Sequence, residues 1–170
     1  MVPPRPVLPH DPAPPPGEIL KSGPSRAVLL AADPAAGEAG GRIVVKRFFA
    51  RGLLGGWRAR TRARREHALL AALSAAGLPV PRPLDLARGD GAWEVRMAWI
   101  PAARPLADWL RAGVPPGARE RLLAALGRLL AAAHAAGLDD PDLHLGNVLV
   151  DAAGAPWLVD VHGARIRRRL

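Results

Sequence analysis

Short apolar and β-branched runs near the start of the chain, separated by turn signals, predict short β-strands. Glu18–Lys21 and Ala27–Leu30 are separated by the turn sequence SGPS, so together they predict a β-hairpin. A loop rich in Gly and Ala, residues 33–41, leads to Arg42–Phe48, whose β-branched run predicts a third strand. A further strand is predicted over residues 92–100, AWEVRMAWI.

Three other segments instead have apolar residues at the spacing of a helix. From residue 57 to 76 the pattern predicts a long helix that ends before Gly77. A short helix is expected over Leu106–Arg111. A second long helix opens at the sequence PPG, residues 115–117, and stops at Gly137. Its apolar stripe consists of Leu122, Leu126, Leu129, Leu130 and Ala133.

A last hairpin is predicted near the C-terminal end of the sequence. Val148–Val150 and Trp157–Val159 are apolar strands joined by the turn sequence DAAG. Asn147 precedes the first strand and Asp160 follows the second, so the hairpin brings these two polar residues side by side. The strands concentrate in the first half of the chain and the helices in the second, which predicts an α+β fold.

Composition limits these elements to one core or two small lobes around a cleft. The chain has 170 residues, 49% of them hydrophobic, and single domains commonly run to about 100–200 residues. Residues 1–16 contain eight prolines and cannot donate a continuous backbone ladder. They are expected to form an extended, disordered tail.

Cysteine content and charge narrow the class of protein. The sequence has no cysteine, which excludes disulfides and thiolate zinc sites. It has no long uninterrupted apolar run, and its first residues lack the apolar centre of a signal peptide, so a secreted or membrane-spanning protein is not indicated. The absence of cysteine is consistent with the cytoplasm but does not assign the compartment. The net charge of +9 favours polyanionic partners, either nucleotide phosphates, nucleic acid or an anionic membrane surface, without choosing among them.

Asp142, Asn147 and Asp160 form the pattern with the most chemical content. Asn147 follows Asp142 by five residues, and Asp160 closes the hairpin that begins after Asn147. In the kinase version of phosphoryl transfer, one Asp orients the attacking hydroxyl while an Asn and a second Asp hold Mg²⁺ on the nucleotide phosphates. The three residues therefore predict a phosphoryl-transfer site. The alternative is that they only cap turns.

Lys46 and Glu66 are the candidates for the other side of such a site. Only two of the 24 basic residues are lysines, Lys21 and Lys46. Lys46 ends a β-branched strand from which a slim ammonium could reach nucleotide phosphates. Glu66 lies on the inward stripe of the first long helix, where a carboxylate needs a cation, and Lys46 is the natural partner. An exposed Lys46, and pairing of Glu66 with Arg62, remain as alternatives.

The turn between the first two strands lies where a phosphate-covering loop would be expected. Gly23 and Ser25 are therefore candidates for nucleotide contact, although a turn with one glycine is equally consistent with an ordinary hairpin. His134, at the end of the second long helix, fits a structural role better than a catalytic one. No role follows from the sequence for His144 or His162.

Five arginines crowd the start of the first long helix, at positions Arg58, Arg60, Arg62, Arg64 and Arg65. Cations there oppose the helix dipole, so they indicate either a solvated face or an anionic partner. A phosphorylated glycolipid or the inner membrane surface would be such a partner. Nucleic acid is not expected, because no aromatic platform is interleaved with the basic residues.

The chain resembles the lipopolysaccharide core kinases, which include the Kdo and heptose kinases and are related to eukaryotic protein kinases. The resemblance rests on VVKRFFARGLL, RARREHALLAALSAAGLPVPRPL, LLAAAHAAGLDDPDLHLGNVLVD and WLVDVHGAR, within roughly residues 18–165. It implies a two-lobed protein-kinase-like fold. The β-rich N-lobe would cover residues 17–100 with the long helix 57–76, and the α-rich C-lobe residues 101–170.

Specific roles follow from this resemblance. Lys46 with Glu66 would hold ATP, and Asp142, in a catalytic loop over residues 139–147, would be the base. Asn147 and Asp160, at the ends of a metal-binding hairpin over residues 147–160, would bind Mg²⁺. The acceptor would be a sugar hydroxyl of the lipopolysaccharide inner core, reached at the cytoplasmic face of the inner membrane.

The chain departs from the family pattern in three places. Asp140 stands where the family has a His two places before the catalytic Asp, and the metal Asp is followed by the sequence VHG. The chain stops about ten residues after Asp160, so the C-lobe is expected to be truncated. Another small-molecule kinase, such as an antibiotic phosphotransferase, a truncated non-catalytic nucleotide-binding module and a basic nucleic-acid binder remain as alternatives.

Overall fold

The computed structural model describes residues 17–35, 41–50, 52, 54–89 and 91–167. The predicted proline-rich tail, residues 1–16, lies outside these ranges. Residues 36–40 of the predicted loop and residues 168–170 at the basic end also lie outside them.

Five antiparallel strands form one sheet in the N-terminal half of the chain. They are β1 (Ile19–Ser22), β2 (Arg26–Ala32), β3 (Arg42–Phe49), β4 (Pro83–Gly89) and β5 (Ala92–Ala98). Their spatial order is β1-β2-β3-β5-β4, so the β-branched strand β3 is paired on both sides. The predicted hairpin β1–β2 and the predicted strands β3 and β5 are confirmed.

Strand β4 is one that the sequence patterns did not predict. Its segment, PLDLARG, begins with a proline and contains no β-branched residue. Pro83 is tolerated because β4 lies at an edge of the sheet, where one side of the strand needs no hydrogen-bonding partner. The edge position therefore explains why this segment can form a strand although its composition does not predict one.

Helix α1 (Gly55–Ala75) packs against this sheet and begins two residues before the predicted start. Its buried positions recur every three or four residues, which is the spacing of one helix face. They are Gly55, Ala59, Ala63, Glu66, Leu69, Leu70 and Leu73. The apolar members join Phe48 and Val95 of the sheet in the hydrophobic core, so Glu66 lies at the boundary between α1 and the strands.

The C-terminal half combines helices with very short strands. In chain order these are β6 (Arg104–Pro105), α2 (Leu106–Arg111), α3 (Pro116–Ala135), β7 (Leu138–Asp139), β8 (Val148–Val150), β9 (Pro156–Leu158) and β10 (Arg165–Ile166). Strands β6, β8 and β9 form one small sheet in that order, and β7 pairs with β10. Both predicted helices and the predicted hairpin β8–β9 are confirmed, whereas the two-residue strands β6, β7 and β10 were not predicted.

Helix α3 buries a narrower stripe than the sequence predicts. Leu122, Leu129 and Ala133 are buried and Leu126 packs against them, but Leu130 is 37% exposed. Its inclusion in the stripe was wrong, because the core beneath α3 contacts one side of the helix only. Within the described ranges, no helix has both the length and the apolarity needed to cross a bilayer.

Two glycines with the same backbone conformation end the two long helices. Gly77 follows α1 and Gly137 follows α3, each with φ of +77°. Glycine adopts this left-handed conformation without the cost that a Cβ imposes. A Cβ at Gly77 would meet nothing within 4 Å, whereas a Cβ at Gly137 would overlap the carbonyl oxygen of Arg167. Gly137 thus permits both the turn into β7 and the close approach of the chain that follows β10.

We expect Gly77→Ala to lower the free energy of unfolding by about 1–2 kcal/mol, the cost of the left-handed conformation alone. Gly137→Ala should cost more, because the overlap with Arg167 is added. Gly127→Ala is the control: this helical glycine of α3 faces open space, so alanine should stabilise by about 0.5–1 kcal/mol. Urea unfolding measures all three, and equal losses at Gly77 and Gly137 would contradict the packing argument.

Candidate active site

An ion pair buried between the sheet and α1 is the centre of the site. Lys46 lies on β3, and its side chain shares a face of the strand with Val44 and Phe48. Its Nζ donates to Oε1 of Glu66 at 2.7 Å, and the two residues are only 3% and 2% exposed. Glu66 therefore pairs with Lys46 rather than with Arg62, as the sequence predicts.

Asp160 of the C-terminal half meets the same lysine. Lys46 Nζ also donates to Oδ1 of Asp160 at 2.6 Å. Asp160 directly follows the hairpin β8–β9 and adopts a left-handed backbone conformation with φ of 60°. Asp is one of the few side chains that tolerate this conformation. Asp160 thereby connects the hairpin to the sheet through Lys46.

Three further side chains surround the Asp160 carboxylate. Nζ of Lys21 lies 3.6 Å from Oδ2, and Nη1 of Arg26 lies 3.4 Å from Oδ1. Nδ1 of His162 lies 2.8 Å from Oδ1. Arg26 Nη1 is also 2.8 Å from Nε2 of His162. These contacts are compatible when the ring donates from Nδ1 to Asp160 and accepts at Nε2 from Arg26.

The positively charged side chains around Asp160 determine the charge of its carboxyl group. Partial burial by itself would raise the pKa of the carboxyl. The ammonium of Lys46 outweighs burial, with help from Arg26 and His162, and the pKa lies well below its ordinary value. Asp160 is therefore a carboxylate at neutral pH, which is the form that binds a divalent cation.

The predicted catalytic loop, residues 139–147, is held together by side-chain contacts to its own backbone. The amide nitrogen of the Asn147 side chain, which is 3% exposed, donates to the carbonyl of Asp142 at 2.8 Å. Oδ1 of Asp140 accepts from the Asp142 backbone N–H at 3.1 Å. His144 Nδ1 accepts from the N–H of Gly146 at 2.9 Å, at the start of a 3-10 turn over Leu145–Asn147. Asp140 thus supports Asp142, although it differs from the family's His.

A cavity of about 200 Å³ lies between the sheet and the C-terminal hairpin. Lys46 and Glu66 line it from one side, and Asn147 and Asp160 from the other. The rest of the lining is mostly apolar and consists of Leu20, Lys21, Val28, Val44, Leu70, Pro81, Met97, Ala98, Trp99, Ile100, Gly146, Leu149 and Val159. A ligand in this cavity would meet apolar walls and a charged end.

The remaining predicted site residues do not line this cavity. Asp142 is exposed on the loop that leads to Asn147. Gly23 and Ser25 are also absent from the lining, and the turn instead faces the site through Lys21 and Arg26, which flank it. The sequence contained a signal for Lys21, because it is one of only two lysines in the chain.

The donor set of the cavity fits Mg²⁺. Asn147 uses its amide nitrogen on the Asp142 carbonyl, which leaves the amide oxygen as a potential ligand. Asp160 supplies a carboxylate. Among the described residues, no group of three or more His, Asp or Glu side chains could hold a metal. Two protein oxygens suit Mg²⁺, which usually takes its other ligands from phosphates and water.

Comparison with known proteins identifies relatives in sequence. A 3-deoxy-D-manno-octulosonic acid kinase of Xanthomonas oryzae pv. oryzae is 40% identical over 105 residues, which are 59% of this chain and 41% of the relative. The enzyme of that name from Stenotrophomonas maltophilia is 40% identical over 117 residues, 65% of this chain and 45% of the relative. The one from Xylella fastidiosa is 32% identical over 108 residues, 64% and 43%. The chain spans less than half the length of each.

Comparison of structures supports the predicted fold. A crystal structure of WbdD matches with a TM-score of 0.59 and 23% sequence identity, covering 85% of this chain and 31% of that one. The two-lobed, kinase-like fold is thereby confirmed. Residues 49–170 match the model of a family described as lipopolysaccharide kinase (Kdo/WaaP). That match includes α1, the catalytic loop and the hairpin that carries Asp160, and the chain belongs to this family.

Proposed function

We propose that this chain transfers the γ-phosphoryl group of ATP to a sugar hydroxyl of the lipopolysaccharide inner core. The observation that supports the proposal best is the cluster of Lys46, Glu66 and Asp160 in a cavity that Asn147 also lines. Such a cluster combines a cation for phosphates with oxygen ligands for a metal. The family to which the chain belongs agrees with this chemistry.

Each residue has one task in the proposed reaction. Lys46, oriented by Glu66, binds the nucleotide phosphates, and Asn147 and Asp160 hold Mg²⁺. The bound Mg²⁺ supplies positive charge beside the phosphates. Asp142 accepts the proton of the acceptor hydroxyl, whose oxygen forms a bond to the γ-phosphorus while the bond from that phosphorus to the ADP oxygen breaks.

The acceptor assignment rests on the relatives and on the position of Asp142. The curated relatives are named as kinases of 3-deoxy-D-manno-octulosonic acid, a sugar acid. Asp142 is exposed rather than enclosed, so a sugar that is part of a large glycolipid could reach it. An antibiotic-type phosphotransferase and a non-catalytic nucleotide-binding module are the outcomes that would replace this proposal.

Substitutions should separate nucleotide binding from phosphoryl transfer. Asp142→Asn should keep Mg²⁺-dependent ATP binding but lower transfer about 10²–10⁴-fold, the usual contribution of a general base. Lys46→Met and Asp160→Asn should weaken ATP binding itself. Calorimetric titration and a phosphate-transfer assay measure the two properties, and thermal melts show whether each variant folds. Absence of ATP binding by the folded wild-type protein would refute the proposal.

The acceptor class is tested by direct comparison of acceptors. We expect phosphate to pass from ATP to lipopolysaccharide inner-core acceptors and not to aminoglycosides. Mass spectrometry of the products locates the new phosphate, with Asp142→Asn as the inactive control. Transfer to aminoglycosides alone would favour the antibiotic-type enzyme, and ATP binding without any transfer would favour the non-catalytic module.

We also propose that the arginines of α1 contact an anionic membrane surface, where a glycolipid acceptor would be found. Arg60 lies over the ring of Trp93 at 5.5 Å, and Arg65 donates to the carbonyl of Ala164 at 3.1 Å. Arg58, Arg62 and Arg64 are exposed. Beside them, Leu54 and Trp57 are 63% and 67% exposed. Exposed cations next to an aromatic and an aliphatic side chain favour a lipid interface over a simply solvated face.

Binding to vesicles tests the membrane contact. We expect the protein to sediment with vesicles that contain anionic lipid. Substitution of Arg58, Arg62 and Arg64 by alanine should weaken binding roughly a hundredfold, at about 1 kcal/mol for each cation. The control is alanine at Arg119, Arg121 and Arg128, three exposed arginines of α3. Equal losses in both triple variants would show that net charge, not this surface, causes the attraction.

A further inference from the structure

Two cations flank the turn between β1 and β2, and both reach the catalytic carboxylate. Lys21 lies near the end of β1 and Arg26 at the start of β2. Their charged groups lie 3.6 Å and 3.4 Å from the Asp160 carboxylate, across more than 130 residues of sequence. The turn thus faces the active site with side chains that carry positive charge.

The backbone of the same turn is poorly suited to bind phosphate. A phosphate-binding loop normally offers several free N–H groups. Here the N–H of Gly23 donates to the carbonyl of Arg26 at 2.9 Å, and Pro24 has no N–H. Neither of the two central residues of the turn, Gly23 and Pro24, therefore offers a free N–H to a ligand, which leaves the charged side chains that flank the turn as the stronger phosphate-binding groups.

The cations exceed what the carboxylates of the site neutralise. Lys46 is paired with Glu66, and Asp160 then faces Lys21 and Arg26 in addition to Lys46. Lys21 also lines the cavity, and its side chain is 64% exposed, so it can move towards a ligand at the entrance. The side chain of Arg26 is 27% exposed, and its guanidinium is restrained by His162. A cluster with excess positive charge beside a metal-binding carboxylate favours a polyanion.

We propose that Lys21 and Arg26 bind the terminal phosphates of the nucleotide with their side chains, in place of the backbone donors of a glycine-rich loop. This inference rests on the proposed ATP site and adds two residues to it. Arg26 offers paired N–H donors and Lys21 a mobile point charge. Asp160 holds both cations beside the metal position, which is where the phosphates of a metal-bound nucleotide lie.

A series of ligands with decreasing phosphate content tests the proposal. The affinities of the full chain for ATP, ADP, AMP and adenosine are measured by calorimetry, with Mg²⁺ and with EDTA. Arg26→Ala should weaken ATP binding about tenfold, and Lys21→Ala by a smaller factor, as expected for lost hydrogen bonds to a charged group. Adenosine affinity should not change. Lys21→Arg should retain most of the ATP affinity, because it keeps the charge.

The control is Arg88→Ala, which removes an exposed cation from β4 at the opposite edge of the same sheet. It should leave every affinity unchanged. Equal weakening of ATP and adenosine in the Lys21 and Arg26 variants would overturn the proposal, since the residues would then support the fold. An effect seen with Mg²⁺ but not with EDTA would also overturn it, because the cations would act only on Asp160. If the wild-type protein prefers ATP to adenosine and the Lys21 and Arg26 variants keep the full preference, this inference fails alone; if the wild-type protein binds neither ligand, the proposed function fails with it.

Discussion

Lys46 forms the contact that joins the two halves of the chain, because it donates to Glu66 of α1 and to Asp160 after the C-terminal hairpin. Removing two charges from water costs several kcal/mol for each ion, and short, well-directed hydrogen bonds offset that cost. Loss of one member of such a pair typically destabilises a protein by about 3–5 kcal/mol, because the partner stays buried without compensation. Oε2 of Glu66 is buried without a hydrogen-bond donor among the described residues, which adds a desolvation cost to the pair. The cluster therefore depends on tight packing of α1 against β3.

A second contact holds α1 to the segment that follows Asp160. Arg65, next to Glu66, donates to the carbonyl of Ala164, directly after the 3-10 turn over Val161–Gly163. Asp160, with its left-handed conformation, directly precedes that turn, and its carboxylate accepts from Lys46, the partner of Glu66 on α1. Any displacement of α1 would thus alter two contacts to the same short segment. The position of the Asp160 carboxylate is coupled in this way to the position of the helix that carries Glu66.

The sequence predicted those features of the site that depend on local pattern. The β-branched strand carrying Lys46, the helix face carrying Glu66 and the hairpin between Asn147 and Asp160 each follow from periodicity, and all three form. Strand β4 was missed because its proline and lack of β-branched residues are tolerated only at a sheet edge, a position that no local pattern reveals. The two-residue strands β6, β7 and β10 were missed because they exist only through pairing with distant segments. The contacts of Lys21 and Arg26 with Asp160 were missed for the same reason, since they depend on how the halves meet.

Phosphate binding by Lys21 and Arg26, the cations that flank the turn, would give this site properties that a glycine-rich loop lacks. Without nucleotide, Lys21 and Arg26 contact Asp160, which Lys46 also contacts, so this single carboxylate does not neutralise all three cations. On this proposal, arriving phosphates would replace Asp160 as the partner of the two cations, and Asp160 would become free to bind the metal. Flexible side chains lose more entropy on binding than fixed backbone donors, but they place no demand on backbone conformation. A turn with one glycine and a proline can then serve a phosphate site, because its chemistry lies in the two residues that flank it.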